Sequence, residues 1–332
     1  MAAGYQLKKA EYVDRPLSED EMWSAFAYLF SSKSHNDTSY KYGFLKAIID
    51  NLYNTDDKLK LNFDQLFSKF AEIYWNLVLK HHIKQKNPGK LDRRSRLETI
   101  LFESQEKYNI IEGIPFESLA CDMRIDICKR VKSDCKNNVV GALYADLGGL
   151  FYSFSLSGEW IQLNPRMYEF ACKHKVAIEK LNYYEWARFL ERVNEDNVID
   201  HLLSKIDEST MRTRSSLAYY RDILFEEFEN KCFYCGKRVT RDKVEVDHFI
   251  PWSFIKDDQI WNFVLACPEC NNMKRDKLAQ VDFLEKISER NEILIERDHH
   301  DNVQPAKRIK MIYNWAQRNG YNEIWTPRKI GV

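Results

Sequence analysis

A charge imbalance is the first thing this chain lacks: 50 lysines and arginines stand against 50 aspartates and glutamates. With a formal net charge of zero, no global field draws it toward phosphates, so a polyanion must be met by local basic patches. No apolar run is long enough to span a bilayer, and the opening MAAGYQLKKAEYVDRP has no apolar signal-peptide core. A cytoplasmic location without a membrane partner is the expectation. Internal repeats, low-complexity tracts and coiled-coil heptads are missing, and no Gly/Ser linker marks a domain boundary. A disulfide framework is also missing: the scattered single cysteines fit a reducing compartment instead.

Core material, by contrast, is ample. Hydrophobic residues make up 44% and aromatics 14% of the 332 residues, enough for one large or two ordinary domains. Ser18-Glu19-Asp20-Glu21 has capping-box form ahead of Met22, Trp23, Phe26, Leu29 and Phe30, which predicts a helix. A second helix runs through Tyr40, Phe44, Leu45, Ile48, Ile49 and Leu52. Tyr40-Lys41-Tyr42 at its start reads as an amphipathic helix entrance, with contact to nucleic acid as the rarer alternative. A third, amphipathic helix is expected from Phe63 to about Lys84. Phe116 to Asn137 reads as a helix with Cys121, Cys128 and Cys135 on one stripe. They lie too far apart to chelate one ion, so they read as buried small apolar residues. The stretch 150–163 alternates and turns at Ser157-Gly158, a β-hairpin pattern. Asn164-Pro165 starts another helix, and helical pattern continues through Leu190 and from Val198 to Ile206.

The most basic part of the chain is Lys80, His81, His82, Lys84, Lys86, Lys90, Arg93, Arg94 and Arg96, broken by Asn87-Pro88-Gly89. Such a run is usually a solvated face; Lys90, Arg93 and Arg94 are the candidates for phosphate contacts. Met211 to Glu229 reads as a helix, with Arg212 and Arg214 placed to flank a nucleic-acid path or to pair with nearby acids. Helices are also expected from Val281 to about Ile295 and from Lys307 to Arg318.

The strongest signal is KCFYCGKRVTRDKVEVDHFIPWSFIKDDQIWNFVLACPECNNMKRDK, from Lys231 to Lys277. Two Cys-x-x-Cys turns, Cys232/Cys235 and Cys267/Cys270, can complete the four-sulfur shell that Zn²⁺ prefers. Alone they fit a purely structural knuckle equally well. Between them a strand-like run ends in Asp247-His248. A histidine beside an acid is more often a satisfied surface group than a base. Here, however, the pair stands with Asn262 and with Asn271 immediately after the last cysteine. Phosphodiester hydrolysis needs a base for water, a cation on the phosphate oxygens and stabilisation of the leaving oxygen. Imidazole suits the first role, and carboxylate and amide oxygens are hard ligands for Mg²⁺ or Mn²⁺. Adjacent strand residues point to opposite faces, so Asp247 and His248 cannot aim alike unless the strand ends or bulges there. Pro251 supports an ending. Asn271 and Lys274 share a helix face.

At these residues the stretch from Arg212 to Ala279 resembles the HNH nucleases of the ββα-metal fold, in the branch with a four-cysteine structural zinc. The resemblance implies a catalytic set of His248, Asp247, Asn271 and Asn262, the last as the residue that ties the loop between the strands. It implies Mg²⁺ or Mn²⁺ on Asp247 and Asn271, with Zn²⁺ on Cys232, Cys235, Cys267 and Cys270. His248 would take a proton from an attacking water, leaving 5′-phosphate and 3′-hydroxyl ends. Lys274 and Arg275 would lie near the phosphate.

The expected architecture is therefore mainly α with a small α+β part. A helical recognition or regulatory domain with one hairpin occupies 1–210, and a zinc-stabilised nuclease domain with helical extensions occupies 211–332. The expected function is a DNA endonuclease acting in restriction or anti-phage defence, on double-stranded DNA, as a homodimer or with a defence-system partner. Two alternatives remain open. One is a non-catalytic zinc-stabilised DNA-binding or adaptor protein; the other is a nuclease acting on RNA or single strands.

Overall fold

The computed structural model describes residues 4–34, 37–87, 94–211, 217–297 and 304–327, and helices dominate it. Contacts divide the chain into two units, Met1–Met211 and Arg212–Val332.

Aromatic side chains organise the first unit. Its helices are α1 (Glu19–Leu29), α2 (Tyr40–Asp50), α3 (Phe63–Trp75), α4 (Arg96–Lys107), α5 (Cys121–Asp146), α6 (Pro165–Lys173), α7 (Lys175–Val193), α8 (Asp196–Ile199) and α9 (Leu202–Thr210). Ser18 and Glu21 close a reciprocal capping box at α1, a device that stabilises a helix start by about 1 kcal/mol. The same box recurs unforeseen at α3, through Asn62 and Gln65, and at α4, through Ser95 and Glu98. Phe44, Phe67, Phe70 and Tyr74 interlock between α2 and α3, with Phe70 and Tyr74 rings 4.6 Å apart. Gly43 in α2 makes this possible, since a Cβ there would lie 2.4 Å from the Tyr74 ring. Within this core Lys46 is fully buried against Asp50 and Glu179. Burial alone would lower its pKa, but Asp50, Tyr183 and Glu179 outweigh that and hold it well above the usual value.

Several expectations are corrected here. The hairpin forms as β3 (Tyr152–Ser155) and β4 (Trp160–Leu163), but it is the middle of a four-stranded antiparallel sheet, ordered β1-β3-β4-β2. The added edges, β1 (Lys9–Ala10) and β2 (Lys60–Asn62), are too short for periodicity to show. The third helix widens into a π-helical stretch, Asn76–Lys80, and stops before Lys84. The predicted helix over 198–206 is broken by His201, which sits in the left-handed region at φ 55°. Of the cysteine stripe only Cys135 is buried, whereas Cys121 is exposed and Cys128 half-buried. Cys121 is the first residue of α5, beyond the packed part of the helix. Tyr40, Lys41 and Tyr42 are all buried as the start of α2.

The second unit is smaller and more polar. It comprises α10 (Ala218–Glu227), β5 (Glu245–His248), α11 (Trp252–Ile255), β6 (Phe263–Ala266), α12 (Pro268–Lys274), β7 (Leu278–Ala279), α13 (Asp282–Glu296), α14 (Gln304–Lys307), α15 (Ile309–Arg318) and β8 (Ile324–Trp325). β5 and β6 pair antiparallel, setting Asp247 opposite Val264 and His248 opposite Phe263. β7 and β8 pair in parallel and bring the end of the described chain back to the segment after α12. Arg290 of α13 is buried and donates to the carbonyls of Ile260, Trp261 and Phe263. Burial pushes its pKa down to about 9. Among the described residues no helix is long and apolar enough to cross a membrane.

Candidate active site and zinc centre

Cys232, Cys235, Cys267 and Cys270 converge, with one sulfur from each within 4.8 Å of all the others. The Cys235 and Cys267 sulfurs are 3.8 Å apart, which matches the edge of about 3.8 Å that a tetrahedron with Zn–S bonds of about 2.3 Å requires. Burial, and then Cys232, push the Cys270 thiol up. A Zn²⁺ ion fits this donor set in chemistry and in spacing.

The first knuckle does more than supply sulfur. Tyr234, between Cys232 and Cys235, is buried and donates its hydroxyl to Asp247 Oδ2. Burial and the adjacent Asp247 charge hold its phenol well above the usual pKa. The second knuckle opens α12, with Pro268 at its first position. Two residues of α12, three apart and so on one face, dock on two residues of β5, two apart and so also on one face. Asn271 donates to Glu245 Oε2 at 2.6 Å, and Lys274 pairs with Asp247 Oδ2 at 3.0 Å. Lys274 also donates to the His248 carbonyl at 2.7 Å.

β5 ends at His248, and the neighbouring side chains diverge. Asp247 turns inward to Tyr234 and Lys274, while His248 Nε2 meets Asp258 Oδ1 at 2.9 Å. Asn262 is 0% exposed and grips both backbone polar groups of Ile250, accepting from its N–H and donating to its C=O, each at 2.8 Å. Its own carbonyl accepts from Phe249 N–H at 2.7 Å. Asn262 therefore ties the turn after His248 and is closed off from solvent.

The basic residues need separate accounts. Lys274 is 0% exposed, which corrects the expectation of an ammonium facing a phosphate: Asp247 and the His248 carbonyl take up its donors. Arg275 is exposed, at the end of α12. In the first unit, Lys80 pairs with Glu208 and Arg96 with Asp134, acids remote in sequence. His81 and His82 lie against Glu208 and Glu112. Arg94 is exposed and stacks on Phe102, 3.8 Å from the ring centroid. Lys90, Arg93, Arg212 and Arg214 lie outside the described residues.

Three members of the constellation escape sequence reading: Tyr234, Glu245 and Asp258. Glu245 left a signal, because a residue two before Asp247 on a strand shares its face. The other two meet their partners only through the fold.

Residues 232–280 match the family model described as HNH endonuclease, which ties this segment to nuclease chemistry and its substrate to nucleic acid in general. No curated protein and no solved structure matches the chain.

Proposed function

We propose that the second unit is a metal-dependent endonuclease hydrolysing phosphodiester bonds of double-stranded DNA, and that the chain acts as a restriction or anti-phage effector. The observation that carries this reading is the double clasp of α12 on β5, Asn271 on Glu245 and Lys274 on Asp247, with His248 the next residue along. Asp247, Asn271 and the neighbouring Glu245 are the hard oxygen donors that would suit Mg²⁺ or Mn²⁺; a cation would share the Asp247 carboxylate with Tyr234 and Lys274, which already reach both of its oxygens. When bound, such a cation supplies charge neutralisation at the phosphate and at the departing 3′ oxygen. His248 accepts the proton of the attacking water. Lys274 and Tyr234 hold the Asp247 carboxylate, Asn262 fixes the turn beyond His248, and the zinc knuckles anchor α12 beside β5. One such site cuts one strand, so a double-strand break requires a second protomer or a second visit. The effector role rests on architecture, a large helical unit ahead of a nuclease segment, which is an analogy of arrangement.

The test is a nicking assay with Mg²⁺ or Mn²⁺ on plasmid, single-stranded DNA and RNA. Wild type should nick plasmid, and His248→Ala should cut at least about 10²-fold more slowly, as loss of a general base implies, with zinc content and melting unchanged. Equal rates for the two proteins would remove His248 as the base. Binding without nicks, insensitive to Mg²⁺, would leave a zinc-stabilised adaptor instead, and cleavage confined to RNA or single strands would replace the substrate.

A further inference from the structure

Building on the nuclease reading, we infer that Asp258 is the positioning residue for His248: it fixes the tautomer of the imidazole so that Nδ1 is the nitrogen that accepts the proton of water. A neutral imidazole has one nitrogen that donates and one that accepts, and the hydrogen bond at one decides the role of the other. Asp258 Oδ1 is 2.9 Å from His248 Nε2. An ionised carboxylate can only accept, so Nε2 carries the proton and the lone pair remains on Nδ1.

The pair is built to hold one geometry. Its side chains are only 11% and 13% exposed. The imidazole also meets the ring of Phe263, its partner across the β5–β6 ladder, edge-on at 4.7 Å and 74°. Asp258 sits on a braced loop. Its N–H donates to Asp257 Oδ1 at 2.9 Å, Gln259 donates to Asp257 Oδ2 at 2.8 Å, and Tyr220 donates to the Asp258 carbonyl at 3.3 Å. Just beyond it Arg290 grips the Ile260, Trp261 and Phe263 carbonyls.

The consequence for the reaction is balanced in atoms and charge. One water proton passes to Nδ1 as the water oxygen forms its bond to phosphorus. The bond from phosphorus to the 3′ oxygen breaks, the electron pair leaves with that oxygen, and a proton from solvent makes it the 3′ hydroxyl. The imidazolium so formed faces the Asp258 carboxylate, which compensates its charge. Nothing is oxidised or reduced.

Two substitutions and one spectroscopic reading decide the matter, all on the full zinc-loaded chain. Asp258→Asn keeps the shape but offers an amide that can donate to Nε2 and so force the proton onto Nδ1. It should lower kcat by about 10²–10⁴-fold, the scale on which a wrong tautomer acts in a histidine–aspartate pair. Asp258→Ala should lower kcat by about tenfold or more. KM, melting and zinc content should stay at wild-type values in both. Independently of cleavage, ¹⁵N shifts of labelled histidine should show His248 protonated on Nε2 in wild type and on Nδ1 in Asp258→Asn. Wild-type kcat in both variants, or a wild-type His248 with its lone pair on Nε2, would overturn the inference. If wild type cuts none of the substrates, the nuclease reading fails, while the nitrogen shifts still decide the tautomer.

Discussion

Lys46 in the first unit and Lys274 in the second are each fully buried against carboxylates, yet their surroundings differ. Lys46 joins α2 to α7 inside a core already packed with aromatic rings. Its partners Asp50 and Glu179 neutralise it, and Tyr183, which donates to Glu179, closes over it, 5.9 Å from ring centroid to ammonium. Lys274 instead ties down a carboxylate and the carbonyl of the adjacent histidine residue, the two positions where a hydrolytic site needs fixed geometry. Among the described residues, Trp261 is the only one of the dozen largest fully buried side chains that belongs to the second unit. Small apolar cores are marginal on their own and call for a metal or a cross-link. A buried ion pair is weak support for stability in either place. In the first unit it is sealed by a core that stands without it, and in the second it is held up by four sulfurs.

The largest expected effect follows from that contrast. Removing zinc with a chelator, or replacing Cys267 with Ser, should unfold the segment from Cys232 to Ala279 and abolish nicking. Structural zinc carries an apparent binding free energy of about 10–16 kcal/mol in small domains. Hydrogen exchange read segment by segment should show amide protection lost in β5, β6 and α12 and kept in α2, α3 and α5. Simultaneous loss in both units would mean that their stabilities are not separate.

A middle-sized effect compares the two lysines directly. Lys46→Ala and Lys274→Ala each leave a buried carboxylate without its counter-charge, and each should destabilise its own unit by about 3–5 kcal/mol. Denaturant melting followed by unit-specific probes measures this. The two should differ in chemistry: only Lys274→Ala should slow nicking under conditions where both variants remain folded. Loss of cleavage with Lys46→Ala under those conditions would erase the distinction.

What the chain reveals before folding depends on how far apart interacting residues lie. The α1 capping box, the central hairpin and the two sulfur knuckles are written within a few residues of one another and read directly. The edges of the four-stranded sheet are two or three residues long and pair with a hairpin about a hundred residues away or more in chain order, so no local pattern announces them. The same holds at the site. Asp247, His248 and Asn271 stand in a recognisable phrase, whereas the Asp258 partner of His248 and the Tyr234 partner of Asp247 are set by a turn and a knuckle. Lys274 is ambiguous in sequence for a physical reason: a lysine beside a phosphate and a lysine neutralising a buried aspartate look identical there, and only burial separates them.

The smallest effect sharpens the comparison through the backbone. His201 of the first unit, at φ 55° and ψ 34°, occupies the left-handed well that a side chain can tolerate. Arg275, at φ 49° and ψ −124°, lies outside it, in a region where a Cβ is strained. Strain of this kind costs about 1–3 kcal/mol, and a glycine gives back about 0.5–1 kcal/mol of it through the entropy of the unfolded chain. Arg275→Gly should therefore stabilise the second unit by about 1 kcal/mol, read as a raised denaturation midpoint. If the exposed guanidinium also contacts a phosphate, the same substitution should weaken DNA binding across all sequences and reduce the salt dependence by about one charge. Opposite signs for stability and binding would mark the strain as kept for nucleic acid. A gain in stability with binding unchanged would make it a local accident of how α12 ends.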